Sequence, residues 1–177
     1  MQLLHSATRN YSWGSRTLIP HLQGQPDSDK PVAELWFGAH PGDPSTVDGR
    51  LLNEVIAEDP AGQLGGRVSA EYGERLPFLL KVLAAEEPLS LQAHPSKAQA
   101  EEGFARENAA GIELTASNRN YKDDNHKPEL IVALTDFYAM AGFRPLARTR
   151  ELFAALECPE LDHYVAMLDD DPSATTE

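Results

Sequence analysis

Two short segments of this chain carry side chains able to hold a cation between them. The first is Ser90-Leu91-Gln92-Ala93-His94-Pro95 and the second is His126-Lys127-Pro128-Glu129. Gln92, His94 and Glu129 offer an amide oxygen, an imidazole nitrogen and a carboxylate. Such a mixed nitrogen and oxygen set suits zinc or another first-row divalent ion better than a soft thiolate site. Three protein donors fit either an open position for water or substrate, or a site whose fourth ligand is missing. Gln-x-His alone is a weak pattern. Its pairing with a His-Lys-Pro-Glu segment 35 residues on, counted from His94 to Glu129, makes it far more specific.

Those donors need elements to position them. Leu89, Leu91 and Ala93 alternate with Ser90, Gln92 and His94, the period of a strand with one face on a core and the other polar. Phe78 to Leu83 is an apolar run broken only by Lys81, and Glu86-Glu87-Pro88 then turns the chain, so residues 78–94 predict a β-hairpin. Lys81 is costly in such a strand unless its ammonium reaches a partner or water. Val32 to Gly38 predicts another strand, with Ala33, Leu35 and Phe37 on one face and Glu34 and Trp36 on the other. If that second face is the one bearing the polar row, Glu34 points into the same cavity. A strand within Gln2 to Tyr11 is followed by a turn at Ser12-Trp13-Gly14-Ser15, where Trp13 serves either as a core or rim aromatic or as a pocket wall.

Residues 23–31 read as a loop, Leu51 to Glu58 as a short helix ended by Pro60, and the glycine-rich residues 61–74 as a loop. Ser96 followed by Gln99 is a capping box opening a helix that runs to about Ala110, with Gly111 as its stop. Residues 114–126 form a polar loop suited to a lid or pocket wall. Glu129 to Leu134 and Phe137 to Phe143 predict further strands. Beyond Pro145, Arg148 to Glu157 is helical, and Leu161, Tyr164, Val165 and Leu168 have amphipathic helical spacing. The acidic stretch Asp169 to Glu177 is expected to fray.

A chain of 177 residues, 41% hydrophobic and 24% charged, has the profile of about one soluble domain. Its net charge of −13 argues against sequence-independent nucleic-acid binding, which needs clustered cations. Lys81, Lys97, Lys122 and Lys127 read singly as solvated charges, and jointly as a positive pocket for a small anion. No apolar run approaches the ~20 residues of a membrane span, and no signal peptide is recognisable. Cys158 is the single cysteine, read as a small hydrophobe, so neither a disulfide framework nor a thiolate cluster is expected. These features point to the cytoplasm.

Three runs carry a family resemblance: Ala33-Glu34-Leu35-Trp36-Phe37-Gly38-Ala39-His40-Pro41, Ser90-Leu91-Gln92-Ala93-His94-Pro95, and Asn120-Tyr121-Lys122-Asp123-Asp124-Asn125-His126-Lys127-Pro128-Glu129-Leu130. Over about the first 145 residues the chain resembles type I mannose-6-phosphate isomerase. The resemblance implies a mainly β, cupin-like jelly roll in residues 1–145, incomplete in this chain, with residues 146–177 beginning a helical domain and ending in the acidic tail. It implies one zinc ion held by Gln92, His94 and Glu129, with Trp13, Glu34, Lys81 and Ser90 contacting substrate and Lys127 taking part in proton movement. The implied reaction interconverts mannose 6-phosphate and fructose 6-phosphate through an enediol. Family members run on for about another domain's length, in a part that carries a fourth, histidine ligand, an arginine and further strands. The chain is therefore expected to be truncated, with unpaired sheet edges prone to self-association. The alternative expectation is a non-catalytic fragment that binds metal or sugar phosphate.

Overall fold

The structure, a computed structural model, describes residues 2–168. It divides into two compact units, one ending at Leu91 and the other beginning at Gln92. Among the described residues no helix is long and apolar enough to cross a membrane.

The first unit holds six short strands and three helices: β1 (Leu4–His5), β2 (Ala7–Arg9), α1 (Leu18–Leu22), β3 (Glu34–Phe37), β4 (Thr46–Val47), β5 (Arg50–Leu51), α2 (Leu52–Glu58), α3 (Pro60–Tyr72) and β6 (Leu80–Leu83). They form two antiparallel sheets of three strands, ordered β1-β4-β5 and β2-β3-β6. The N-terminal stretch serves both sheets, pairing with β4 through β1 and, past Ser6, with β3 through β2. As the centre of its sheet, β3 turns Leu35 and Phe37 toward Ile19, Val32, Val82 and Ala84. The alternation expected of residues 32–38 is thus realised. Gly14 lies so close to this sheet that a Cβ on it would stand 2.5 Å from the Ala33 backbone. Only glycine permits that approach, which seats the Trp13 turn beside the start of β3. The buried Ser45 hydroxyl accepts from the Gly38 amide at 3.0 Å and donates to the Trp36 carbonyl at 3.0 Å, closing the loop after β3.

Several expected strands are absent, and the strand-dominated reading gives way to small sheets plus helices. Leu80–Leu83 pairs with β3, in the register Trp36↔Lys81, and not with residues 89–94 as a hairpin would require. The stretch from Leu89 to Pro95 is irregular, and Leu91, expected in the core, is 82% exposed. Residues 129–134 and 137–143 are likewise irregular, with Leu130 90% and Tyr138 95% exposed. Alternation gives a segment the side-chain faces of a strand, but a strand exists only where a neighbour completes its hydrogen-bond ladder. Among the described residues these segments have no such neighbour. Residues 61–74, expected as a loop, lie mostly in α3, because Pro60 occupies its first turn and the Asp59 carboxylate accepts from the Gly62 amide at 3.0 Å. The glycines still leave a mark, since α3 is broken at Gly65, whose φ is +77°.

In the second unit lie α4 (Lys97–Ala109), α5 (Leu146–Leu156), a 3₁₀ turn (Pro159–Leu161) and α6 (Asp162–Val165). The capping box of α4 forms in both directions: the Ser96 hydroxyl accepts from the Gln99 amide at 3.3 Å, and the Ser96 amide donates to the Gln99 side chain at 2.7 Å. The helix expected over 148–157 is α5, whereas the amphipathic spacing at 161–168 yields only the 3₁₀ turn and the single turn of α6. The expected fraying of Asp169 to Glu177 falls outside the described residues.

A buried ion pair joins α4 to the loop that follows it. The Arg119 side chain is 0% exposed and stands 3.0 Å from the Glu107 carboxylate. Its remaining hydrogen bonds go to the carbonyls of Tyr121 and Ile112 and to the Asn108 side chain, at 2.6, 2.7 and 2.8 Å. Glu107 in turn accepts from the Tyr121 amide at 2.8 Å and from the Asn120 amide and side chain at 3.2 Å. Burial alone would push the Glu107 carboxyl up, but these donors and the guanidinium outweigh it and hold the carboxyl below its ordinary value. Its ionised form therefore favours the docked loop above the free carboxylate value of about 4.3, and that contribution is lost as pH falls through the lower folded value. Measured against intrinsic exchange rates, the protection of the Asn120 and Tyr121 amides should be lost as pH falls below the free carboxylate range, and Glu107→Gln should remove that acid-dependent step.

Candidate functional site

The chemistry-bearing residues fall in both units. In the first, antiparallel register aligns Arg9, Glu34, Trp36 and Lys81 on the face of the β2-β3-β6 sheet opposite the Leu35 core. Glu34 is only 5% exposed and accepts from the Trp36 indole nitrogen at 2.7 Å. The Lys81 ammonium stands 3.7 Å from the other Glu34 oxygen and 5.0 Å from the Trp36 ring. Lys81 thus finds both a counter-ion and an aromatic face, which offsets its cost in an otherwise apolar strand. The Arg9 guanidinium lies 4.9 Å from the same ring and pairs with Asp43 at 2.7 Å. Arg9 belongs to no motif in the sequence, and its pairing opposite Glu34 is what puts it on this face. Trp13 is half-buried and stacks on Tyr11 with ring centres 5.6 Å apart, a rim position. Ser90 is exposed on the irregular stretch after β6.

In the second unit the two sequence motifs meet. The His94 Nδ1 lies 2.6 Å from the Lys127 carbonyl oxygen. A carbonyl can only accept, so Nδ1 carries the proton of this hydrogen bond, and Nε2 is the ring atom left to ligate a cation. That nitrogen stands 3.4 Å from the Gln92 Oε1 and 3.8 Å from the Glu129 Oε2. Adjacent ligands of a tetrahedral ion with ~2.1 Å bonds are roughly 3.4 Å apart, and the two distances from His94 Nε2 are close to that spacing. The hydrogen bond from Nδ1 to a carbonyl is the outer contact that usually fixes a ligating histidine. No cluster of three or more His, Cys, Asp or Glu able to hold a metal occurs among the described residues, and this trio depends on the amide of Gln92. His94, Pro95, His126, Lys127, Pro128 and Glu129 line an open cleft of ≈ 360 Å³.

Lys127 enters this arrangement through its backbone, while its exposed ammonium pairs with Asp123 at 3.1 Å. Lys97 holds the same loop, donating to the Asp124 carbonyl at 2.7 Å and the Asn125 side chain at 3.1 Å. Lys122 is exposed. A larger cleft of ≈ 430 Å³ in the first unit, floored by Thr8, Asn10 and Val32, contains none of the residues expected to do chemistry.

Residues 1–146 match the family described as phosphomannose isomerase type I, catalytic domain, and the chain belongs to that family. Over 177 aligned residues it is 46% identical to mannose-6-phosphate isomerase of Escherichia coli, covering 96% of this chain and 45% of that protein. It is 41% identical over 157 residues to the human protein of the same name, covering 81% of this chain and 34% of the relative. Among solved structures it resembles mannose 6-phosphate isomerase from Salmonella typhimurium bound to fructose 6-phosphate and zinc, with a TM-score of 0.66 and 46% identity over 72% of this chain and 33% of that one. The chain thus spans less than half the length of the curated relatives it matches.

The Trp36–Glu34 hydrogen bond should be measurable by itself. Trp36→Phe removes the donor and leaves a buried carboxylate short of a partner, so the urea midpoint should fall by the equivalent of about 1–3 kcal/mol.

Proposed function

We propose that this chain carries the metal-binding and substrate-binding part of a zinc-dependent isomerase that interconverts mannose 6-phosphate and fructose 6-phosphate. The observation that carries the reading is the convergence of Gln92 Oε1 and Glu129 Oε2 on Nε2 of His94. Gln92, His94 and Glu129 would hold the ion. Bound zinc supplies Lewis-acid stabilisation of negative charge developing on the sugar oxygens.

The reaction moves a proton from C2 of the aldose to C1 of the ketose through an enediol. Lys127, whose ammonium is exposed and tethered by Asp123, is the group on this chain assigned to hold or deliver a proton beside the metal ligands. Glu34 and Lys81 are assigned to substrate, the carboxylate accepting from sugar hydroxyls and the ammonium meeting the anionic ligand. Trp13 and Ser90 are assigned to the same substrate as an aromatic wall and a hydroxyl. The family resemblance supports a cupin-like jelly roll for residues 1–145 and the beginning of a helical domain for residues 146–177. The negative net charge and single cysteine support a cytoplasmic protein whose partner is a small sugar phosphate and not a nucleic acid.

Equilibrium dialysis should find one zinc per chain. In His94→Ala the affinity should fall by more than the ~10–100-fold typical of losing an outer hydrogen-bond partner. A coupled assay with zinc-loaded chain should convert mannose 6-phosphate to fructose 6-phosphate, and the Gln92→Ala, His94→Ala double variant should not. Stoichiometric zinc without turnover would identify a binding fragment, and absence of zinc binding would overturn the reading.

A further inference from the structure

The loop bearing Lys127 and Glu129 does not reach His94 unaided. From Arg119 onward it runs back along α4, from the helix's C-terminal half toward its N-terminus, and it is fastened at three levels. At the first, the buried Arg119–Glu107 pair fixes Asn120 and Tyr121 through their backbone amides. At the second, the Tyr121 ring lies against Gly103, where a Cβ would stand 2.5 Å from the ring carbons, and the Arg106 guanidinium is 5.9 Å from the same ring. At the third, Lys97 holds the Asp124 carbonyl and the Asn125 side chain. His94 lies three residues before Lys97, so the helix spreads the three fastenings over the roughly 15 Å rise of ten residues from Glu107 to Lys97 and delivers the loop beside His94.

We propose that the Glu107–Arg119 pair, with Tyr121 seated on Gly103, is the positioning device that brings the Lys127 carbonyl and the Glu129 carboxylate to His94. None of these four residues touches the donor atoms. They act by setting where the loop arrives, and hence whether the His94 ring is locked with Nε2 toward Gln92 and Glu129. The guanidinium suits this work because burial leaves it no water to fall back on. Its hydrogen bonds must be made by the loop carbonyls, and they exist only in the docked arrangement. As to zinc, the inference rests on the function proposed above; as to the state of the His94 ring, it stands alone.

Two substitutions reach the device through different atoms. Glu107→Gln keeps the shape and removes the charge opposite Arg119. Gly103→Ala improves the helix former in α4 but places a methyl group where the Tyr121 ring lies. Each variant is compared with the native 177-residue chain under conditions where its far-UV circular dichroism matches that of the native chain, first in chelator and then with added zinc. In the native chain the His94 Nδ1–H should appear in nitrogen-15 spectra as a protected, downfield ring proton. Both variants should lose that protection, and zinc should bind about tenfold more weakly, the effect of an outer-shell loss. A purely helical role for residue 103 predicts the opposite, since alanine then only helps. Retention of the ring proton in a folded variant, with zinc affinity within about twofold of native, would overturn the inference. If the native chain binds no zinc, the zinc reading fails, and the ring proton alone decides whether the device positions His94.

Discussion

A buried charge must be answered by the groups around it, and in the second unit that requirement organises the chain. Arg119 sits over the Phe104 ring at 5.1 Å with its side chain fully enclosed, and every partner it uses comes from α4 or from the loop that folds back onto it. Removing one partner from such a network costs more than the network contributes relative to an apolar core, because the remaining charge stays buried. Either partner alone would be left as an unanswered buried charge, so the two are kept together only while the loop lies on α4. Around it the unit is sparsely packed, with many apolar side chains of residues 130–143 exposed.

In the first unit the organising constraint is sheet register. A shift of one residue in β3 would exchange its faces, carrying Glu34 and Trp36 into the core and Leu35 out of it. Pairing with β2 and β6 on both sides prevents that shift. The same register sets Lys81 opposite Trp36, so a packing decision made by Leu35, Ile19 and Ala84 also fixes a carboxylate, an indole and an ammonium within reach of one another. The charged face is a by-product of burying the apolar one.

Sequence signals match the structure where the structure they specify is itself local. The Ser96–Gln99 capping box involves groups three residues apart and forms as the sequence predicts. The alternation at residues 32–38 predicts β3, and the helix expected after Pro145 is α5. Residues 89–95 and 129–143 mislead because apolar alternation states what a strand would look like without stating what it would pair with. Residues 61–74 mislead in the other direction. Their glycines suggest a loop, whereas the Asp59 cap and Pro60 start a helix that yields only at Gly65.

By itself the sequence determined the family, because Gln92, His94, Lys127 and Glu129 belong to motifs whose identity and spacing are written in the chain. It also determined where α4 begins. Only the tertiary structure decided that Lys127 meets His94 through its carbonyl, and that this bond leaves Nε2 to face Gln92 and Glu129. It alone decided that Arg119, one cation in a polar run, is the residue enclosed at 0% exposure. The physical reason is the same in each case. Hydrogen-bond partners 33 residues apart for His94 and Lys127, and a counter-ion 12 positions away for Arg119, are fixed by how the chain returns on itself. That return path is set by packing and by the need to satisfy buried polar groups, neither of which any short stretch of sequence contains.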